Sequence, residues 1–169
     1  MIYPSNFENK IQFGEIRSLL KGRCLSQLGK DKVDAMSFCD DVATINTLLS
    51  QTREFRRLQT EADDFPLQYF FDMRQAIKRI RLEGTHLEEG EMFDLRRSLE
   101  TIGAIVSFLN RGSDEGVYDY PSLHELTDGV LTFSDIVRRI DAILDKYGRV
   151  KDTASPALAG IRSELRRSE

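Results

Sequence analysis

Apolar residues recur along this chain at spacings of three and four, the period of one face of an α-helix. Residues 14–23 put Ile16, Leu19 and Leu20 on one face, and residues 26–36 do the same with Leu28, Val33 and Met36. Asp40 and Asp41 then supply an N-cap and acidic charge for a helix over 42–62, striped by Val42, Ile45, Leu48, Leu49 and Phe55. Asp63-Asp64-Phe65-Pro66 breaks that helix, because proline disfavours helical geometry in the residue before it. Phe70, Met73, Ile77 and Ile80 predict a fourth helix ending near Gly84.

The longest helix is expected over 88–110, with Met92, Leu95, Leu99, Ile102, Val106 and Leu109 inward and 110–114 as its stop signal. Pro121 suits the first turn of a shorter helix. Thr132-Phe133-Ser134-Asp135 fits a capping box before Ile136, Ile140, Ile143, Leu144 and Tyr147, with Gly148 as the stop. Residues 148–152 are the one segment read as extended. Ser155 and Pro156 then open a last helix striped by Leu158, Ile161 and Leu165. The pattern predicts an all-α fold, an irregular multi-helix bundle with at most one short β-hairpin near 148–152. A helical core domain is expected over 1–145, with 146–169 as a hairpin or joint and the start of a further helix. That helix is still amphipathic at Leu165 and lacks a glycine cap, so the intact protein is expected to continue beyond it; a terminus that simply frays is the plain alternative.

Composition narrows the function classes. Charged residues make up 31% and apolar residues 40%, with ten phenylalanines spread along the chain, which fits a helical domain with a core and excludes low-complexity disorder. The net charge of −4 excludes a uniformly basic nucleic-acid binder, so any such contact needs a local patch. Cys24 and Cys39 read as reduced thiols, the first residues do not resemble a signal peptide, and no apolar run is long enough for a membrane span; the expected compartment is the cytoplasm.

Candidate chemistry is sparse. No phosphate-binding glycine loop is present, and Leu28-Gly29-Lys30 lacks the flanking residues that would make one. His86 and His124 each lack a second ligand at helical spacing. The acidic cluster Glu88, Glu89, Glu91 and Asp94 reads as complement to a helix dipole. The arginine pairs 56–57, 96–97, 138–139 and 166–167, and the cluster Lys78, Arg79 and Arg81, read as solvated faces bridged to nearby acids, Arg97 with Glu100 among them; phosphate contact is the sharper alternative. No catalytic, cofactor-binding or metal-ligating residue is expected.

Two stretches carry a resemblance. Cys24-Leu25-Ser26-Gln27-Leu28-Gly29-Lys30 follows the opening helix. The second runs from Tyr147 through Gly148-Arg149-Val150-Lys151-Asp152-Thr153-Ala154-Ser155-Pro156-Ala157-Leu158 to Ile161-Arg162. With residues 93–99 between them, they resemble the N-terminal region of the MutS-two family, the second branch of bacterial MutS-like proteins. The resemblance implies a MutS core-like fold. It also implies a parent that is a homodimeric ATPase using ATP and magnesium and acting on branched or mismatched DNA, in suppression of recombination, or on stalled ribosomes, and ending in a nuclease domain. This chain would be a non-catalytic core segment linking a clamp to the ATPase, with Asp152, Ser155, Pro156 and Leu158 as a structural joint. The other readings are a free-standing helical protein–protein adaptor and a small helical enzyme.

Overall fold

A computed structural model describes residues 6–112 and 117–168. The first five residues, and Ser113 and Asp114 of the predicted stop signal, lie outside the described residues. The described chain is all-α: nine helices and, in place of any sheet, one isolated antiparallel bridge between Leu144 and Val150. It divides into two compact units after Asp41.

The first unit holds α1 (Phe7–Lys10), α2 (Phe13–Arg23) and α3 (Gln27–Asp34). Ser26 caps α3, its hydroxyl accepting the Gly29 N–H at 3.3 Å. Gly29 lies so close to Cys24 that a Cβ there would come within 3.2 Å of the Cys24 Cβ, so the turn between α2 and α3 closes most easily around glycine. Ion pairs tie the helices together: Arg17 to both carboxylate oxygens of Glu8 at 3.0 Å, and Lys21 to Asp34 at 2.8 Å. Val33 is the buried apolar residue here. Ile16, Leu19 and Leu20, the whole predicted face of the opening helix, and Met36, predicted inward, are exposed, and α3 stops at Asp34.

The second unit begins with α4 (Val42–Glu61), which opens directly after the acidic pair. Its two halves differ. Phe55 and Leu58 enter the core with Phe108, Leu109, Tyr120 and Leu123, while Val42, Leu48 and Leu49 are exposed. Aromatic rings organise this core: Phe65 meets Phe108 edge-on at 5.1 Å, and Phe108 stacks on Tyr120 at 6.1 Å. The core closes over α7 (Pro121–His124), whose Leu123 N–H donates to the Glu54 carboxylate at 2.9 Å.

The predicted fourth helix is corrected. Residues 66–73 are not helical, and α5 covers just Arg74–Arg79. Pro66 delays the helix, and the loose segment is held by side chains of α6 (Glu89–Leu109) instead. The Phe71 N–H donates to Ser98 Oγ at 3.0 Å, and Thr101 Oγ1 donates to the Gln68 carbonyl at 2.6 Å. Ser98 and Thr101 are therefore among the most buried residues of α6, deeper than the predicted Met92, Leu95 and Leu99. The helix opens where the acidic cluster predicted, with Glu91 accepting the Glu88 N–H at 3.0 Å.

α8 (Ser134–Ile143) packs on α6. It starts without the Thr132 capping box, having Phe133 at its N-cap and no side-chain cap bond. It also ends before Leu144: Gly148 terminates a hairpin turn rather than a helix. The Asp145 N–H donates to the Arg149 carbonyl and the Lys151 N–H to the Ile143 carbonyl, both at 2.8 Å. The boundary expected after residue 145 thus falls inside a hydrogen-bonded turn of the second unit. α9 (Pro156–Ser168) follows.

Leu58, 1% exposed, should lose about 2–5 kcal/mol of stability on replacement by Ala, the range for emptying a packed leucine site. Leu49→Ala, on the exposed half of the same helix, should change it by less than about 0.5 kcal/mol. Urea unfolding of the two variants measures the contrast; equal losses would mean that the two halves of α4 are buried alike.

Candidate functional site

The candidate joint is built from the hairpin upward. Asp145 shapes the turn, its Oδ1 accepting the N–H groups of Tyr147 at 2.8 Å and Arg149 at 2.9 Å. These bonds favour the charged carboxylate; the Arg149 amide contributes most to holding the Asp145 carboxyl below its ordinary value of 3.8. Gly148 has φ +80°, a left-handed conformation, and lies close against the side chain of Phe93 on α6. A Cβ at 148 would come within 2.7 Å of the Phe93 Cγ. On the next strand-like residue, the Val150 N–H donates to Glu89 at the start of α6.

All four predicted joint residues sit where this hairpin meets α9. Ser155 Oγ accepts the Leu158 N–H at 3.1 Å, the Ser155 carbonyl accepts the Ala159 N–H at 3.0 Å, and Pro156 is the first helical residue. Leu158 is half-buried. The carboxylate of Asp152 is forked between Arg162 and Arg166, one turn apart on α9, and Arg162 also donates to the Val150 carbonyl at 3.2 Å. The hydrogen bond from Arg162, then that from Arg166, holds the Asp152 carboxyl below its ordinary value of 3.8. The sequence reading named Asp152 but neither arginine as its partner; the signal was their spacing of four along the helix. Glu89, Phe93 and Gly148 were missed as the hairpin's seat, since contacts between α6 and residue 148 leave no local trace in the chain.

A second cluster adjoins the hairpin. The Arg97 guanidinium lies over three rings, those of Tyr69 at 4.9 Å, Phe71 at 4.5 Å and Phe93 at 4.6 Å, and pairs with Asp94. The expected Arg97–Glu100 bridge is corrected: Glu100 goes to Arg96, which also grips Asp141 on α8 at 2.8 Å. The spacing of three to Asp94 competes with the spacing of three to Glu100, and the rings turn Arg97 toward the former. Elsewhere the solvated-face reading of the arginines holds, with Arg57 paired to Glu61, Arg79 to Glu91 and Arg138 to Asp135. Among the described residues no group of three or more His, Cys, Asp or Glu is placed to hold a metal ion, and no helix is long and apolar enough to cross a membrane.

No family model matches the chain. Curated relatives do. The endonuclease MutS2 of Bacillus velezensis is 26% identical over 161 residues, which cover 95% of this chain and 20% of the relative. The putative endonuclease MutS2 of Bacillus subtilis is 26% identical over 159 residues, 94% of the chain and 20% of the relative. The endonuclease MutS2 of Symbiobacterium thermophilum is 29% identical over 156 residues, 92% of the chain and 19% of the relative. The chain thus spans about one fifth of the length of the curated relatives it matches. The similarity runs over nearly all of it, in keeping with the resemblance carried by its two signature stretches.

Two substitutions test the joint's steric and electrostatic parts. Gly148→Ala should cost about 2–4 kcal/mol, from the left-handed backbone and the overlap with Phe93. Gly160→Ala, in open space on α9, should be neutral or stabilising by up to about 1 kcal/mol. Chemical denaturation of both measures the difference. For the acids the sign is that of depressed carboxyls: their contribution is complete well above 3.8 and is lost as the pH falls through their lower folded values. Carboxyl titration by NMR should give Asp145 and Asp152 midpoints below 3.8, and Asp152→Asn should speed amide exchange at Leu158 and Ala159 at neutral pH. An ordinary midpoint for Asp152 would mean that the arginine fork does not form in solution.

Proposed function

We propose that this chain, a relative of the MutS2 proteins, serves as the non-catalytic core segment of a MutS-like ATPase, with residues 146–169 as the joint between that core and a lever helix leading to a clamp. The parent would be a homodimer of the cytoplasm that binds ATP and magnesium in another domain. It would act on branched or mismatched DNA, restraining recombination, or on stalled ribosomes, and would carry the endonuclease activity named in its relatives. The observation that carries the reading is the construction of the joint. A hairpin seated on α6 through Gly148 continues into a helix that is capped by Ser155 and locked by the Asp152 fork. Such a connection passes a displacement of the helix to the core, because both its ends are fixed by specific contacts.

A second reading has its own observation. Val42, Leu48 and Leu49 leave an apolar face exposed on the first half of α4, as a protein–protein adaptor would. The two readings separate on the gene downstream of residue 169: a phosphate-loop sequence there favours the ATPase segment, and a stop codon favours the adaptor.

Under the first reading, Ser155→Ala removes a cap of ~1 kcal/mol, too little to unfold the unit and enough to loosen a joint. Combined with Pro156→Gly in the intact parent, it should weaken the stimulation of ATP hydrolysis by DNA or ribosomes while basal hydrolysis stays near normal. Steady-state assays with and without the nucleic-acid partner decide it; unchanged stimulation would reduce the motif to a helix start.

A further inference from the structure

A cleft of about 630 Å³ opens between α6, α8 and the hairpin, beside the joint. Its volume falls within the range of small-molecule sites. The charges lining it are unequally engaged. Arg96 is held by Asp141 and Glu100, and Asp145 is occupied by the turn's amides. Lys151 donates its ammonium to a backbone carbonyl, that of Asp141, and the Lys146 ammonium lies 4.9 Å from the ring of Tyr147. Among the described residues neither lysine has an acidic partner in an ion pair. The Arg97 Nε, at the same cleft, is buried without an acceptor among the described residues.

Two tyrosines line the same space and remain exposed to solvent, Tyr147 by 72% and Tyr69 by 53%, each with one cation over its ring, Lys146 on Tyr147 and Arg97 on Tyr69. Tyr69 is held at φ +61°, a backbone conformation that side-chain-bearing residues adopt at a cost. Thr101 keeps it there through the adjoining Gln68 carbonyl. Glu100, Asp141 and Asp145 line the cleft too, but Arg96 and the turn's amides engage them, so exposed rings beside ammonium groups outside any ion pair are the two halves of a site that stacks a base and holds a phosphate.

We propose that this cleft binds a nucleoside 5′-phosphate unit whose base is unstacked, with Lys146 and Lys151 facing the phosphate and Tyr147 offering its ring to the base. The inference rests on the nucleic-acid reading above and deepens it, by naming single-stranded nucleotides as the chemistry recognised by this chain itself. A duplex is a poor occupant because its base faces are already covered by their neighbours. An acidic peptide would use the lysines and leave the exposed rings without a counterpart.

The test is fluorescence anisotropy of the 169-residue chain with a labelled ten-nucleotide oligothymidylate, and with a duplex of equal length, at low salt. The single strand should bind more tightly than the duplex. Tyr147→Ala should weaken its binding by about tenfold, the scale of one lost base-stacking contact. Lys146→Gln should weaken it and lower the slope of log affinity against log salt by about 0.7, the value for one phosphate contact on a single strand. Both side chains are exposed, so circular dichroism should show the fold unchanged. Displacement by thymidine 5′-monophosphate would identify the free nucleotide as sufficient. Displacement by the oligomer alone would place the site on strands; either result supports the proposal. Absence of binding, binding unchanged in both variants, or equal displacement by an oligoglutamate peptide overturns it. The ATPase experiment on the parent is read independently, so a silent cleft with normal coupling removes the site and leaves the core-segment reading standing.

Discussion

The backbone of residues 66–73 has neither helix nor sheet to satisfy it, and two hydroxyls on α6 take that role. Buried amides and carbonyls without partners are costly, so the positions of Ser98 and Thr101 decide where this segment lies. Much else follows. With the segment laid along α6, Tyr69 and Phe71 come over Arg97 from one side while Phe93 reaches it from its own helix. Phe93 in turn offers the surface on which Gly148 seats the hairpin. Two small polar residues thereby set the stage for an aromatic cluster and, through it, for the seat of the hairpin.

Where the chain was legible, the information was local. The acidic start of α6 and the Ser155-Pro156 opening are patterns of a few residues, and the structure uses both as read. Where legibility failed, a distant partner outweighed a local preference. Phe70 has helical spacing to Met73 and Ile77, yet the hydroxyls of α6 and the constraint of Pro66 hold its neighbourhood out of a helix. Thr132 fits a capping box, but α8 begins two residues later. The apolar stripe of α6 pointed to Leu95 and Leu99, whereas the deepest positions include a serine and a threonine that hydropathy alone counts as surface. The candidate site divides the same way: Ser155 and Pro156 were readable, while Phe93 and the two arginines on Asp152 needed the fold.

Charge is used throughout as short-range fastening. The 24 lysines and arginines are nearly matched by 28 acids, and the structure pairs several of the described arginines within a helical turn or across one helix contact. Such exposed pairs contribute little each. Their value is directional: Arg96 reaches both a neighbour on α6 and Asp141 on α8, which favours one rotation of α8 about its axis. That orientation brings Leu144 inward and leaves the hairpin facing Phe93.

The connection from the hairpin to α9 thus consists of two fastenings in series, of different physical kinds. The contact of Gly148 with Phe93 is steric, and screening by dissolved ions does not weaken it. The fork of Asp152 between Arg162 and Arg166 is electrostatic and solvent-facing, so it is screened as ionic strength rises. Linked springs yield at the softer one. In dilute buffer the helix and the hairpin would turn as one body, and in concentrated salt the bend would concentrate at residues 152–155. The ionic strength of the surroundings would then act as a dial on the compliance of the connection, moving the pivot without changing a single apolar contact.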